Sequence, residues 1–292
     1  MSGWTPHTVV TEELVDPGPV EALRTLLDTG AEAARTGDLL PPLWHWVALP
    51  RWPVSSSLGP DGHPARGAFL PPVDLPRRMF AGGEVWLSGD ITVGSTVRRE
   101  ARVVSVTPKS GRSGRLVVVV VEIALFAGGP EPALVERQNL IYREAAVPDP
   151  ATAAAPVAIE PVGAPLRRLR EWDWELRTDP TVLMRFSAAT ANPHRIHYDW
   201  PYATAVEGYP GLVVHGPLMA LALAETVRRE APDPAPVRLR HRNLAPLFCP
   251  GPARLRRQDD ADGHLTVAVV GESGTHATLT AEFPSPGDRF HA

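Results

Sequence analysis

At 292 residues, with 21% charged side chains and a formal net charge of -4, the chain is sized for one large domain or two ordinary ones. This charge excludes the basic surface of a nucleic-acid binder, so the partners to expect are small molecules or other subunits. A single cysteine, Cys249, excludes an intrachain disulfide and a multi-cysteine metal site, and 33 prolines with 24 glycines leave little room for long helices.

The start, "MSGWTPHTVV", lacks a basic region followed by an apolar run, which makes the cytoplasm the default location. Leu23, Leu26 and Leu27 stand at helical spacing and predict a first helix over 20–35, with Gly37 as its stop. From Leu39 to Gly83 the chain is rich in Pro and Trp, including Trp44, His45 and Trp46. Its prolines forbid regular structure, so it reads as a long ordered loop of the kind that carries function.

Strand signals follow in series: "EVWLSGDITV", "RREARVVSVT", "RLVVVVVEIALF" and "ALVERQNLIYRE", separated by turn chemistry. The apolar run from Leu116 to Phe126 is interrupted by Glu122 and falls short of the ~20 residues of a membrane helix. An Ala- and Pro-rich stretch, residues 151–165, reads as a semi-rigid linker between halves spanning 1–150 and 166–292. The second half opens with a strand, "LRRLREWDWEL", and a short helix, "PTVLMRFSAAT". A long apolar helix from Gly216 to Glu230 comes next, then four strand-like runs, "VRLRHRNLAPLF", "PARLRRQ", "HLTVAVVGE" and "HATLTAEF". The fold class expected is α+β, one multi-stranded antiparallel sheet per half, with the Ala-rich helix wrapped by a curved sheet.

Proton-handling chemistry concentrates in "SAATANPHRIHYD", Ser187 to Asp199, hemmed in by Phe186, Ile196 and Tyr198. His194 and His197 are three apart, but Arg195 intervenes and no cysteine is near, so the pair points to acid–base work instead of a metal. In "EGYPGLVVHGPLMA", Gly216 and Pro217 open the apolar helix, where free N–H groups and the positive helix end can stabilise an oxyanion.

Together the two segments resemble the hydratase motif of the MaoC-like, hot-dog-fold (R)-specific enoyl-CoA hydratases and 3-hydroxyacyl-thioester dehydratases. That motif has the form "FSxLTGDxNPIH", followed some twenty residues later by "AHGML". Here the text is "FSAATANPHRIH" and then "VHGPLM", matching at Phe186, Ser187, Thr190, Ile196 and His197 and again at His215 and Gly216. The chain departs where the motif's Asp, Asn and Pro fall on Asn192, His194 and Arg195. The "HRIHYD" form and the first-half text, such as "LPPLWHW" and "LGPDGHPARGAFLPPVDLPRRMFAGG", are similar to a branch that includes the mesaconyl-C4-CoA hydratases.

The resemblance implies a double hot dog, each half a sheet around a helix, with the first helix reduced or replaced by the Trp-rich loop. It implies a lyase that adds or removes water across the C2–C3 bond of a short, branched or dicarboxylic enoyl-CoA, with no cofactor and the coenzyme A thioester as substrate. His197 would be the general base/acid, Asn192 would orient water, and the Gly216 N–H would hold the thioester oxygen. His194, Asp199 or His215 would assist. Trp44 and Trp46, with Phe69 and Phe80, would wall the acyl pocket, and Arg77, Arg78 and Arg242 would meet the coenzyme A phosphates. Dehydration of a carrier-protein-bound 3-hydroxyacyl group and a non-catalytic acyl-CoA-binding protein stay open as alternatives. A thioesterase would need Glu207, which lies in the wrong segment. No membrane partner is expected, and exposed sheet edges favour a homodimer.

Overall fold

The computed structural model describes residues 3–111, 114–145, 161–258 and 264–284. The first half comprises strand β1 (Thr8–Leu14), helix α1 (Pro17–Leu27), the single-turn helix α2 (His45–Ala48), and strands β2 (Arg77–Leu87), β3 (Thr96–Gly111), β4 (Gly114–Phe126) and β5 (Leu134–Arg143). Helix α1 begins earlier and ends sooner than the leucine spacing predicts. Asp16 caps its start by accepting from the Gly18 N–H, and Asp28 ends it by taking a left-handed φ of 47°. Up to β2 the long loop is irregular apart from α2 and a 3-10 turn at Ser55–Ser57, but Arg77 to Gly83, assigned to that loop from the prolines around them, are strand residues.

The second half holds β6 (Leu166–Arg170), β7 (Asp173–Thr178), α3 (Pro180–Ala189), β8 (Leu212–Val213) and α4 (Gly216–Glu230). It is completed by β9 (Arg238–Asn243), β10 (Phe248–Cys249), β11 (Gly251–Gln258), β12 (Leu265–Gly271) and β13 (Gly274–Glu282). The stretch expected as one strand, "LRRLREWDWEL", is a hairpin: Trp172 turns the chain at φ 52°, and β6 pairs with β7. The run after Val237 likewise breaks after Asn243 and resumes only at Phe248. Of the linker expected over 151–165, residues 151–160 lie outside the described residues.

Eleven strands form one antiparallel sheet in the order β1-β3-β4-β5-β2-β9-β13-β12-β11-β7-β6. The two sheets expected from the sequence are therefore continuous. They join where β2 pairs with β9, Val85 facing Leu239 and Gly82 facing Arg242. The remaining pair, β8 with β10, stands apart from this sheet.

Helix α4 is buried at every residue from Leu218 to Val227, which fits the uninterrupted apolar run from Leu218 to Ala224, and it packs on β9, β11, β12, β13 and β2. Glu225, buried on this helix, is held by Arg228 and Arg229. In the first half the corresponding space is filled by α1, α2 and the loop, with Leu23, Leu27, Leu43, Trp44 and Val47 in the core. Among the described residues no helix is long and apolar enough to cross a membrane.

Candidate active site

Helix α3 delivers the histidine-rich loop to the core. Asp179 caps it by accepting from the Val182 N–H at 2.7 Å, and Phe186 buries its last turn. The chain then turns at Ala191, with φ 49°, and the Asn192 Oδ1 accepts from the His194 N–H at 3.1 Å. One 3-10 turn over Arg195–His197 brings both histidines inward, each about 95% withdrawn from solvent at 5% and 6% exposure.

His197 donates its Nδ1–H to the Val213 carbonyl at 2.7 Å, which fixes the tautomer and leaves Nε2 as the acceptor nitrogen. Burial, reinforced by His194 and opposed by that carbonyl, pushes its pKa down to about 3. The ring is stacked on His215 with centroids 3.6 Å apart, and His215 in turn meets the Ser187 Oγ at 2.8 Å and the edge of Phe186. His215 is fully buried and held neutral by burial and its histidine neighbours, so it supports the His197 ring from behind.

The other side of the cluster comes from a segment 130 residues away. The turn Gly59–His63 sits against the histidine loop: the Arg195 N–H donates to the Asp61 carbonyl at 3.0 Å, and the Arg195 Nη1 to the Pro60 carbonyl at 2.9 Å. Gly62 makes this docking possible. It has φ 89°, and a Cβ there would lie 1.9 Å from the Pro193 carbonyl oxygen. Asp61 accepts from both the His63 backbone N–H and Nδ1, each at 3.0 Å, and the His63 ring lies 4.1 Å from that of His194. Burial pushes the Asp61 carboxyl up, but His63 and His194 outweigh it and hold it down to about 2. Burial and Arg78 lower His63 well below the ordinary range, against the pull of Asp61. Asp61, His63 and His194 each bring a ligand-capable atom within 4.8 Å of the others.

Helix α4 starts with no side-chain cap, because His215 at the N-cap makes no such bond and Pro217 has no N–H to give. The Gly216 N–H is thus an orphan donor at a positive helix end. Gly216 lines a cavity of about 750 Å³, a usual size for a small-molecule site, together with Asn192, His63, His194 and His197. The opposite wall comes from the first half, where Trp46, Leu49, Phe69, Phe80, Val121 and Leu140 give an apolar surface. Beside it the buried Glu136 accepts from His45, Trp46 and Gln138 at 3.0, 2.8 and 2.9 Å.

The structure brings Asn192, His194, His197, Gly216, Trp46, Arg77 and Arg78 to this cavity. Trp44 is instead a core residue, and Arg242 is exposed on β9 outside the cavity lining. Asp199 also lies outside it, paired with Arg195 and accepting the Tyr202 N–H. Arg77 donates to the buried Glu207 at 2.7 Å, and Glu207 lies 3.9 Å from the His194 Nε2. Burial raises the Glu207 carboxyl, but His194 and Arg77 hold it below the ordinary range. The Asp61–His63 pair was not singled out by motif; the only signal for it was "GPDGH" inside an ordered proline-rich loop.

The sequence model of the hydroxyacyl-thioester dehydratase type 2 family matches residues 43–249. Mesaconyl-C(4)-CoA hydratase of Chloroflexus aurantiacus is 41% identical over 275 residues, 94% of this chain and 94% of that protein. Among solved structures, HtdX of Mycobacterium tuberculosis superposes with a TM-score of 0.62 at 20% identity, over 95% of this chain and 100% of that one. A second M. tuberculosis protein, described as having a double hotdog fold, superposes at 0.54 with 15% identity, over 96% of each chain.

Proposed function

We propose, for a chain that belongs to the hydroxyacyl-thioester dehydratase type 2 family and is an enzyme of the hydratase/dehydratase class, that the substrate is a short dicarboxylic enoyl-CoA of the mesaconyl type. The observation that carries the chemistry is that one cavity holds an uncapped helix start beside an imidazole whose tautomer is locked by a backbone carbonyl. In hydration, His197 Nε2 takes a proton from water as the water oxygen bonds to C3. The electrons of the double bond move through C2 onto the thioester oxygen, which the Gly216 N–H receives. Asn192, whose amide oxygen is engaged by His194, offers its NH2 group to orient the water. The chemistry draws only on side chains and the backbone, with the thioester as its own electron sink.

Support for a second substrate carboxylate comes from Arg78. Among the described residues no ion pair engages it, it lines the cavity, and it faces Tyr142 and Asp61 from β2, where burial disfavours its charge. A bound carboxylate would give its charge the counter-ion that Tyr142 does not supply. This reading moves Arg78 from the coenzyme A phosphates, its role in the sequence expectation, to the acyl group. Among the described residues β1 and β6 are the outermost strands of the sheet, and these edges support a homodimer as the assembly, to be read by light scattering.

The test is the enoyl-thioester absorbance of mesaconyl-CoA and crotonyl-CoA with the purified protein and with His197→Ala. Turnover of mesaconyl-CoA that the substitution abolishes is expected. Absence of turnover on every coenzyme A thioester, with the fold intact, would refute the proposal.

A further inference from the structure

Adding water across a double bond moves two protons: one leaves the water and another arrives at C2. His197 accounts for the first. Asn192, which stands where the family motif has Asp, is an amide and cannot supply the second. Asp199 lies outside the cavity with Arg195, and His215 lies behind His197 with its Nε2 on Ser187. His194 has its Nε2 turned toward Glu207, 3.9 Å away, without a hydrogen bond.

We infer that the Asp61–His63 pair of the first half is the second proton-handling couple of the site, and that His63 delivers the proton to C2. This rests on the hydratase reading. Four observations carry it. His63 lines the same cavity as His197 and Asn192. Its Nδ1 is engaged by the Asp61 carboxylate at 3.0 Å, so Nε2 is the nitrogen left for substrate. Its ring continues a file of imidazoles, 4.1 Å from His194, which lies 5.5 Å from His197. The turn that carries the pair is locked to the catalytic loop through Arg195 and through the close approach of Gly62 to Pro193.

In the competent state His63 is an imidazolium against the Asp61 carboxylate and His197 is neutral. The water oxygen bonds to C3 while its proton goes to His197 Nε2, and the double-bond electrons reach the thioester oxygen. The enolate then re-forms the carbonyl as C2 takes the proton from His63 Nε2. One water is consumed, and the proton now on His197 returns to His63 through solvent or by way of His194. Dehydration runs the same transfers backward. The groups that face His63 are Asp61 on its own turn, His194 on the catalytic loop and Arg78 on β2; Glu207 and Arg77 stand behind His194. Burial and Arg78 work against the imidazolium and Asp61 favours it, and a substrate carboxylate on Arg78 would remove the charge part of that opposition as the substrate binds.

The experiment is the pH dependence of kcat/KM for wild type, His63→Gln and Asp61→Asn, together with deuterium exchange at C2 of the hydrated product in D2O. One proton shared between two bases gives wild type a bell-shaped profile. His63→Gln is expected to lower kcat by about 10²–10⁴, the usual contribution of a general acid. It should also remove the alkaline limb and slow C2 exchange in parallel, and added imidazole should restore part of the rate. Asp61→Asn should shift the alkaline limb to lower pH. Unchanged profiles and exchange in both variants of an active enzyme would overturn the inference and leave the hydratase reading standing, whereas an inactive wild type would overturn both. Loss of wild-type activity to a chelator, restored by a divalent ion, would also overturn it by assigning Asp61, His63 and His194 to a metal.

Discussion

The start of helix α4 offers a quantitative test. A Cβ on Gly216 would lie 2.2 Å from the Asn243 Nδ2 and 3.0 Å from its Cγ, against the 3.4 Å at which ordinary contact begins. Asn243 is not free to swing aside, because its Nδ2 donates to the Phe80 carbonyl at 2.9 Å, across the β2–β9 junction. Gly216→Ala must therefore break that bond or push the helix start back by about 1 Å, a misplacement of the size that costs about 10²-fold in rate. Loss of an oxyanion donor costs about 10²–10³-fold, so kcat/KM should fall by about two orders of magnitude. Overpacking at this point should lower stability by about 1–3 kcal/mol. Steady-state hydration kinetics and urea unfolding read the two effects separately. The double variant Gly216→Ala/Asn243→Ala removes the obstacle and should recover at least about tenfold of the lost rate. Wild-type kinetics and an unchanged urea midpoint for Gly216→Ala, or a double variant no better than the single, would refute the reasoning.

Other outcomes follow from the same geometry. Arg78→Met should cost a dicarboxylic enoyl-CoA about 10–150-fold in kcat/KM, the worth of a charged hydrogen bond of about 1.5–3 kcal/mol, while leaving crotonyl-CoA nearly unaffected; equal losses on both substrates would count against carboxylate recognition. Gly62→Ala, which sets a Cβ against the Pro193 carbonyl, should reduce activity and destabilise the protein, and near-wild-type values would show that the turn docks loosely. Stability should also fall in mild acid. The pKa of His197 is lowered from 6.5 to about 3 and that of His241 to about 4, so between these values the unfolded chain binds protons that the folded chain does not. The stabilisation is complete above about pH 6.5 and is lost as pH falls toward the folded values, at up to about 1.4 kcal/mol per pH unit for each group. His241, with neither ring nitrogen partnered, is the one to replace: urea midpoints at pH 7.5 and 5.5 should lie closer together in His241→Leu than in wild type, and an equal gap would disprove its share.

The sequence was most legible where local pattern and local structure coincide. Helix α4 follows the run from Gly216 to Glu230 at both ends, and β3, β4 and β5 follow their β-branched runs, whereas β1 lies outside the expected strands and β2 begins before the run from Glu84. It was least legible where a residue takes a conformation its type does not advertise. Trp172 and Asp28 adopt positive φ without being glycine, which hid the β6–β7 hairpin and the true end of α1. The histidine loop and the helix start could be read from their spacing, because both lie on one continuous stretch. Asp61 and His63 reach the same cavity only through tertiary closure, and no periodicity or short motif reports a contact across 130 residues. The roles given to Arg77, Arg78 and Arg242 show the same limit. Charge is visible in a sequence, but whether it meets Glu207, a cavity or solvent is decided by the strand register.

The β2–β9 join has a consequence for how this enzyme could be re-engineered. The groups proposed to move protons and receive the oxyanion lie on residues 190–219 apart from Asp61 and His63, whereas the apolar wall that an acyl group would touch is drawn mainly from residues 45–80 and 121–141. Apart from Asp61 and His63, selectivity and the proposed chemistry thus reside on separable tracts of one polypeptide, held in register by a backbone ladder that requires glycine at Gly82 and Gly83, where a Cβ would lie 2.2 Å from a carbonyl oxygen. Chimeras that exchange Trp46, Leu49, Phe69 or Leu140 while keeping Asp61 and His63 would vary the acyl group accepted against a constant reaction, with the ladder serving as a fixed chassis.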